Sequence, residues 1–181
     1  MGNRYYIETY GCQMNVSDSE LVSNQLEKIG YKMSNEVENA DLIFLNTCAI
    51  REKAEETVHN RLDSLHYLKK NNPKLIIAVI GCMAQNLKNE LLESKPYVDI
   101  ILGPDSYRKI SDIIASRKYN INHIVDTKLS KYEVYDDMFP SRREGVNAWI
   151  PIMRGCDKFC TFCIVPFTRG RERSRTIESI I

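Results

Sequence analysis

Three strand-like runs in this chain each lead directly into a cysteine, and that repetition constrains the fold more than any other feature. Arg4–Thr9 (RYYIET), rich in Tyr and Ile, reads as a strand and runs into Tyr10-Gly-Cys12. Asp41–Asn46 (DLIFLN) is apolar at successive positions, as strands buried on both faces of a parallel sheet are, and leads into Thr47-Cys48. Leu75–Ile80 (LIIAVI) is the third run and leads into Gly81-Cys82.

Helical spacing fills the intervals. Ser17-Asp-Ser-Glu20 is a capping-box pattern, which predicts a helix carrying Val22, Leu26 and Ile29 and ending at Gly30. A second helix is expected from about Glu52 to Lys70, with Val58, Leu62, Leu65 and Leu68 on one face and Asn71-Asn-Pro73 closing it. A third is expected over Ala84–Ser94. A strand at Asp99–Leu102, a helix over Tyr107–Arg117 and an edge strand at His123–Asp126 complete the pattern. Strand and helix alternating at this spacing predict an α/β fold with a doubly wound, mostly parallel sheet over residues 1–127. Lys128–Asn147 is largely polar, with Tyr135-Asp-Asp137 and Ser141-Arg-Arg143 in it, and reads as a linker. Ala148–Met153 (AWIPIM) reads as a strand opening a second unit over residues 148–181.

Parallel strands place their C-terminal ends along one rim, where open α/β sheets bind ligands. Cys12, Cys48 and Cys82 would therefore meet through topology alone, and the glycines before Cys12 and Cys82 allow close backbone approach. Three thiolates leave a four-iron cluster one corner short, because such clusters normally take four Cys. Zinc is the rival metal, as Cys₃ plus one further ligand is a structural zinc set. His59 and His66 fall in the long helix and His123 on the edge strand, so no histidine is expected on this rim.

The other three of the six cysteines form Cys156-x₃-Cys160-x₂-Cys163, directly after the Ala148–Met153 run. One short loop of this kind can wrap three corners of a cubane and leave the fourth iron open to a small molecule. Zinc modules prefer paired C-x₂-C, so the spacing is unusual for zinc. Phe162 suits either packing over an adenine ring or a place in the core. The chain's formal charge is +1, but Arg154–Arg175 alone carries +4, leaving −3 elsewhere. Arg169, Arg171, Arg173 and Arg175 in that stretch fit bidentate contact with phosphate or carboxylate, or with single-stranded RNA. A solvated loop is the plainer reading of the same run. The longest aliphatic run, Leu75–Ile80, is six residues, against about 20 for a spanning helix, and the start lacks a signal-peptide core. A cytoplasmic protein with no membrane partner, acting as a monomer, is the expectation.

With these residues in view, the chain resembles the radical S-adenosylmethionine (SAM) enzymes, whose hallmark is C-x₃-C-x-aromatic-C. It is more similar still to the methylthiotransferases. The words that carry this are Thr9-Tyr-Gly-Cys-Gln-Met-Asn15 with Asp18-Ser-Glu20, Asn46-Thr-Cys-Ala-Ile-Arg-Glu-Lys-Ala54, Gly81-Cys-Met-Ala-Gln85, and Arg154-Gly-Cys156 through Cys163-Ile-Val-Pro-Phe-Thr-Arg-Gly-Arg-Glu-Arg-Ser-Arg175. Gln13-Met14-Asn15 leans toward the branch that acts on tRNA rather than on a ribosomal-protein aspartate.

The resemblance implies two [4Fe-4S] clusters and SAM as cofactors. Cys156, Cys160 and Cys163 would hold the SAM-binding cluster, and Cys12, Cys48 and Cys82 an auxiliary, sulfur-delivering one. The implied reaction converts N6-isopentenyladenosine at position 37, in the tRNA anticodon loop, to its 2-methylthio derivative. An electron donor and a sulfur donor are implied but not identified. A non-catalytic iron–sulfur or zinc module that binds RNA is the alternative from another class. A complete (β/α)₈ barrel takes about 250 residues, so residues 148–181 would supply only the first strand and cluster loop of a truncated radical SAM barrel. The resemblance thus implies an N-terminal part that does not catalyse the whole reaction alone, with the residues after Asn147 weakly held.

Overall fold

The computed structural model describes residues 3–49, 52–119, 123–142 and 146–181. Six strands form one sheet: β1 (Arg4–Thr9), β2 (Lys32–Met33), β3 (Leu42–Thr47), β4 (Ile76–Gly81), β5 (Ile100–Leu102) and β6 (Ile124–Asp126). Their order is β2-β1-β3-β4-β5-β6, and every pairing is parallel. The order reverses between β1 and β3, which makes that crevice the topological switch point. The register sets Thr9 beside Asn46 and Thr47 beside Gly81, so β1, β3 and β4 end at nearly one level.

The continuous apolar runs have a direct cause. Leu42 and Phe44 pack on one face with Val22 and Leu26 of α1 (Gln13–Lys28) and Ile110 and Ile114 of α5 (Ile110–Tyr119). Ile43 and Leu45 pack on the other with Val58, Leu62 and Leu65 of α2 (Glu52–Asn71). Ala84 of α3 (Cys82–Leu87) and Leu91 of α4 (Asn89–Ser94) join that second layer. Alternate side chains of one strand thus enter two separate cores, as a doubly wound sheet requires.

Several expectations change. Ser17 does not cap α1. The helix starts a turn earlier, with Cys12 as N-cap, and Ser17 lies buried inside it. The cause is tertiary: Asn15 is pinned to β3, which draws the first turn forward. The helix expected over Ala84–Ser94 is two helices, broken at Lys88 in the left-handed region (φ 46°). Tyr107–Lys109 forms a 3₁₀ turn ahead of α5.

Parts of the polar stretch from Lys128 reach the sheet domain. Tyr135 and Met138 are buried in the first core. Tyr135 Oη donates to the Pro104 carbonyl (2.9 Å) and accepts from the Tyr107 amide (3.0 Å), while Arg108 grips Glu133 and Asp137. Within the Ser141-Arg-Arg143 run, Arg143 lies outside the described residues. Of Ala148–Met153, only Met153 is in a ladder. β7 (Met153–Arg154) pairs antiparallel with β8 (Arg173–Ser174) as a two-residue ribbon. Two short helices, α6 (Val165–Thr168) and α7 (Ile177–Ile180), complete this part. None of the described helices is long and apolar enough to cross a membrane.

Candidate metal centre

Cys12, Cys48 and Cys82 share one cavity. It holds about 250 Å³ at the switch-point rim, and Asn15, Met153, Gly155, Val165 and Arg169 are among its other walls. The three thiols come from the loop after β1, the loop after β3 and the first residue of α3, so only the sheet brings them together. All three are free, with Cys48 and Cys82 buried and Cys12 exposed.

Backbone and side chains hold this rim tightly. Gly81 has φ +95°, and a Cβ there would lie 2.6 Å from the Thr47 carbonyl oxygen. At Gly11 a Cβ would stand 2.5 Å from Asn15 Oδ1 and 3.0 Å from the Cys48 Cβ. Beneath the cavity runs a buried polar net. Asn15 Nδ2 donates to Asn46 Oδ1 (2.9 Å), and Asn46 Nδ2 donates to the Asn15 carbonyl (2.8 Å) and to Ser19 Oγ (2.9 Å). Thr47 Oγ1 donates to the Ile80 carbonyl (2.8 Å). These bonds satisfy polar groups that would otherwise cost stability at a buried strand end.

Charge enters from the C-terminal part of the chain. Arg169 is buried, and its Nε donates to Cys82 Sγ (3.2 Å) while its Nη2 donates to Asp18 Oδ2 (2.9 Å). Asp18 Oδ1 accepts from Arg154 Nη1 (2.9 Å). The Arg154 guanidinium lies 4.8 Å from the centre of the Tyr135 ring. Arg173 Nη1 pairs with Asp105 Oδ2 (2.7 Å). Burial pushes the Cys82 thiol up, and the Arg169 guanidinium works against that rise. Burial, the largest single influence, disfavours the Arg169 charge, but the Asp18 carboxylate together with the Cys82 and Tyr107 groups holds the guanidinium above its ordinary range.

Among the described residues three buried guanidiniums thus face two buried carboxylates here, and Arg169 Nη1, like Arg154 Nε and Arg173 Nε, has no hydrogen-bond partner. A buried cation without a full complement of anions is costly, so this wall suits an anionic group bound by thiolates. Among the described residues no three His, Cys, Asp or Glu converge to hold a single metal ion. A four-iron cluster asks for something different, thiolates spread over the corners of a cubane. An all-thiol donor set around a roomy, arginine-walled cavity fits that requirement.

Cys156, Cys160 and Cys163 lie in one surface loop, with Cys160 exposed. The Cys156 amide donates to the Gly170 carbonyl (3.1 Å), and the Cys163 amide donates to the Cys160 carbonyl (2.9 Å). Arg171 forks onto Asp157 (2.7 and 3.2 Å), whose Oδ1 also accepts the Glu172 amide (2.9 Å). Phe162 is 94% exposed, outside both described core clusters. The four arginines singled out in the sequence are already engaged: Arg169 with Asp18 and Cys82, Arg171 with Asp157, Arg173 with Asp105, and Arg175 with Ser179. Of these, the Arg169 and Arg173 bonds reach Cys82, Asp18 and Asp105 in the first part of the chain, while those of Arg171 and Arg175 stay within the C-terminal segment.

A family model described as "Uncharacterized protein family UPF0004" matches residues 4–103, the span holding the first three cysteines. The chain belongs to this family, the methylthiotransferase N-terminal domain. Proteins named tRNA-2-methylthio-N(6)-dimethylallyladenosine synthase are similar to it well beyond the UPF0004 span. That of Chloroherpeton thalassium is 49% identical over 178 residues, covering 98% of this chain and 39% of the relative. The Amoebophilus asiaticus protein is 51% identical, over 97% of the chain and 36% of the relative. The Bacteroides fragilis protein is 46% identical, over 98% and 39%. The chain therefore spans about two fifths of the length of these relatives.

The strand-end pattern puts Cys12, Cys48 and Cys82 on one rim, but it does not mark the residues that support them. Asp18 sat inside a recognised word without a role, and Asn15, Asn46, Asp105 and Arg154 had none either. Their signal was faint: Asp18 and Asn46 are polar residues embedded in otherwise buried elements, where unpaired polar groups are rare.

Proposed function

We propose that this chain is the cluster-bearing part of a tRNA methylthiotransferase that converts N6-isopentenyladenosine, at position 37 beside the anticodon, to its 2-methylthio derivative. In this reading Cys12, Cys48 and Cys82 hold an auxiliary [4Fe-4S] cluster. Cys156, Cys160 and Cys163 hold a second cluster, which binds SAM. The carrying observation is that thiols from three separate strand ends line one cavity beside a buried arginine with an unpartnered nitrogen. The names of the similar proteins support tRNA over a ribosomal-protein substrate.

Adenine C2–H is not acidic, so its functionalisation needs one-electron and sulfur chemistry that bound clusters and SAM supply and side chains do not. The chain's own residues do the remaining work. Gly11 and Gly81 bring backbone close to the cavity, the Asn15–Asn46 net fixes the rim, and Met153, Ile164 and Val165 line the cavity with apolar surface against water. In the second loop, Asp157–Arg171 and the Gly170 carbonyl hold the first cysteine in place. Exposed Phe162 is offered as a stacking face for the adenine of SAM or substrate. Residues 148–181 would begin the SAM-binding barrel. Six unpaired thiols suit a reducing compartment, and the cytoplasm is the proposed location.

Anaerobic reconstitution tests this. The intact chain should bind iron and acid-labile sulfide for two clusters, and a Cys12/Cys48/Cys82→Ala variant should lose half of both. Iron content unchanged by that triple substitution, or zinc bound in place of iron, overturns the proposal. For the substrate, tRNA from a strain lacking the whole gene should lose 2-methylthioadenosine by nucleoside mass spectrometry.

A further inference from the structure

We propose that Arg169 is a positioning residue that raises the reduction potential of the group ligated by Cys82; this rests on the reading that Cys12, Cys48 and Cys82 hold a cluster. The geometry is specific. Arg169 Nε donates to Cys82 Sγ at 3.2 Å, and the same guanidinium is clamped through Nη2 to Asp18 at 2.9 Å. Asp18 is itself fully buried and held from its other oxygen by Arg154. Arg154 in turn donates to the Pro104 carbonyl (3.1 Å), and Arg173 Nη2 donates to the Arg169 carbonyl (2.6 Å). A side chain fixed at its head and at its backbone cannot swing away when the charge beside it changes.

One-electron reduction adds an electron from an external low-potential donor, while Arg169 stays protonated throughout. A cation and an N–H donor at a ligating sulfur stabilise the more negative, reduced state, and do so more strongly where water is excluded. Among the described residues it is Cys82 that takes such a bond, whereas the Cys12 thiol donates to Asn15 Oδ1 (3.5 Å). Arg169 also links the two cysteine groups, since its neighbour Gly170 accepts the Cys156 amide bond. The potential of the first centre is thus set from the segment that carries the second.

The test uses the 181-residue chain reconstituted anaerobically in a Cys156/Cys160/Cys163→Ala background, so that only one centre remains. Its midpoint potential is read by a redox titration followed by electron paramagnetic resonance. Arg169→Gln should keep the parent iron and sulfide content and shift the midpoint to a more negative value. Arg169→Lys, which keeps the charge but not the fork, should shift it less. Lys74→Gln, which removes an exposed charge just ahead of β4 at the opposite end of the strands, should not shift it. Full iron content with an unchanged midpoint in Arg169→Gln overturns the proposal. If Arg169→Gln does not load, Arg169→Lys decides on the same criterion. Failure of both to load in chains that remain folded by circular dichroism also overturns it, because Arg169 would then serve assembly. A parent that binds no iron at all refutes the cluster reading itself.

Discussion

Gly81 holds a left-handed backbone between the Thr47 carbonyl and the Asn46 side chain, with no room for a Cβ against either. Any L side chain there meets both backbone strain and a clash. Gly81→Ala should therefore lower stability by about 1–3 kcal/mol in chemical denaturation. It should also reduce iron loading, since Cys82 is the next residue. A variant as stable as the parent would mean that the turn relaxes freely. The sequence signalled the glycine's importance but not its neighbours. That Asn46 and Thr47 crowd it follows from the β3–β4 register, which sets Thr47 beside Gly81. The same holds for Asn15, whose role appears only when α1 is laid against β3.

Elements are held to one another by apolar layers, with a few ion pairs at their edges. Glu8, near the end of β1, takes a forked bond from Arg61 of α2 (2.6–3.0 Å) and another from Tyr10 Oη (2.6 Å). Burial alone would raise the Glu8 carboxyl, but the Arg61 and Tyr10 bonds outweigh it and hold the group below its ordinary 4.5. Burial, and then the Glu8 carboxylate, push the Tyr10 phenol up to about 12 against the opposing Arg61 charge. A carboxyl depressed on folding stabilises the protein above its unfolded pKa, and that contribution is lost as pH falls through the folded value. Glu8→Gln should be less stable than the parent at neutral pH, and the gap should close on acidification below about pH 4.5. Thermal unfolding across pH checks this, and a gap of constant size would show that the pair contributes nothing. The alternation of strand and helix was legible because period and composition are local. The early start of α1 and the break at Lys88 were not, because a buried net sets the first and no Gly or Pro marks the second.

Across the whole molecule, the buried arginines join the C-terminal part of the chain to the sheet. Asp18 of α1 binds Arg154 and Arg169, and Asp105 binds Arg173. Truncating one member of a buried ion set leaves its partners uncompensated, at about 3–5 kcal/mol. Asp18→Asn should cost on that order in denaturant unfolding and make residues 146–181 cleave faster in limited proteolysis. Unchanged cleavage would show that apolar packing alone holds this part down.

The chain's residue order was enough to specify an α/β architecture and to set three cysteines at strand ends and three in one loop. Both are matters of local period and spacing, which a linear reading preserves. Which thiols face a common cavity, and which arginine reaches them, depended on contacts such as Asp18–Arg154 and Cys82–Arg169. Those join residues 136 and 87 positions apart. Contacts of that range arise only when parallel strand ends are levelled by the sheet and a later segment folds back across them. Composition shows a basic stretch, but only the packed structure buries Arg154, Arg169 and Arg173 of it and sets Arg169 beside the thiols.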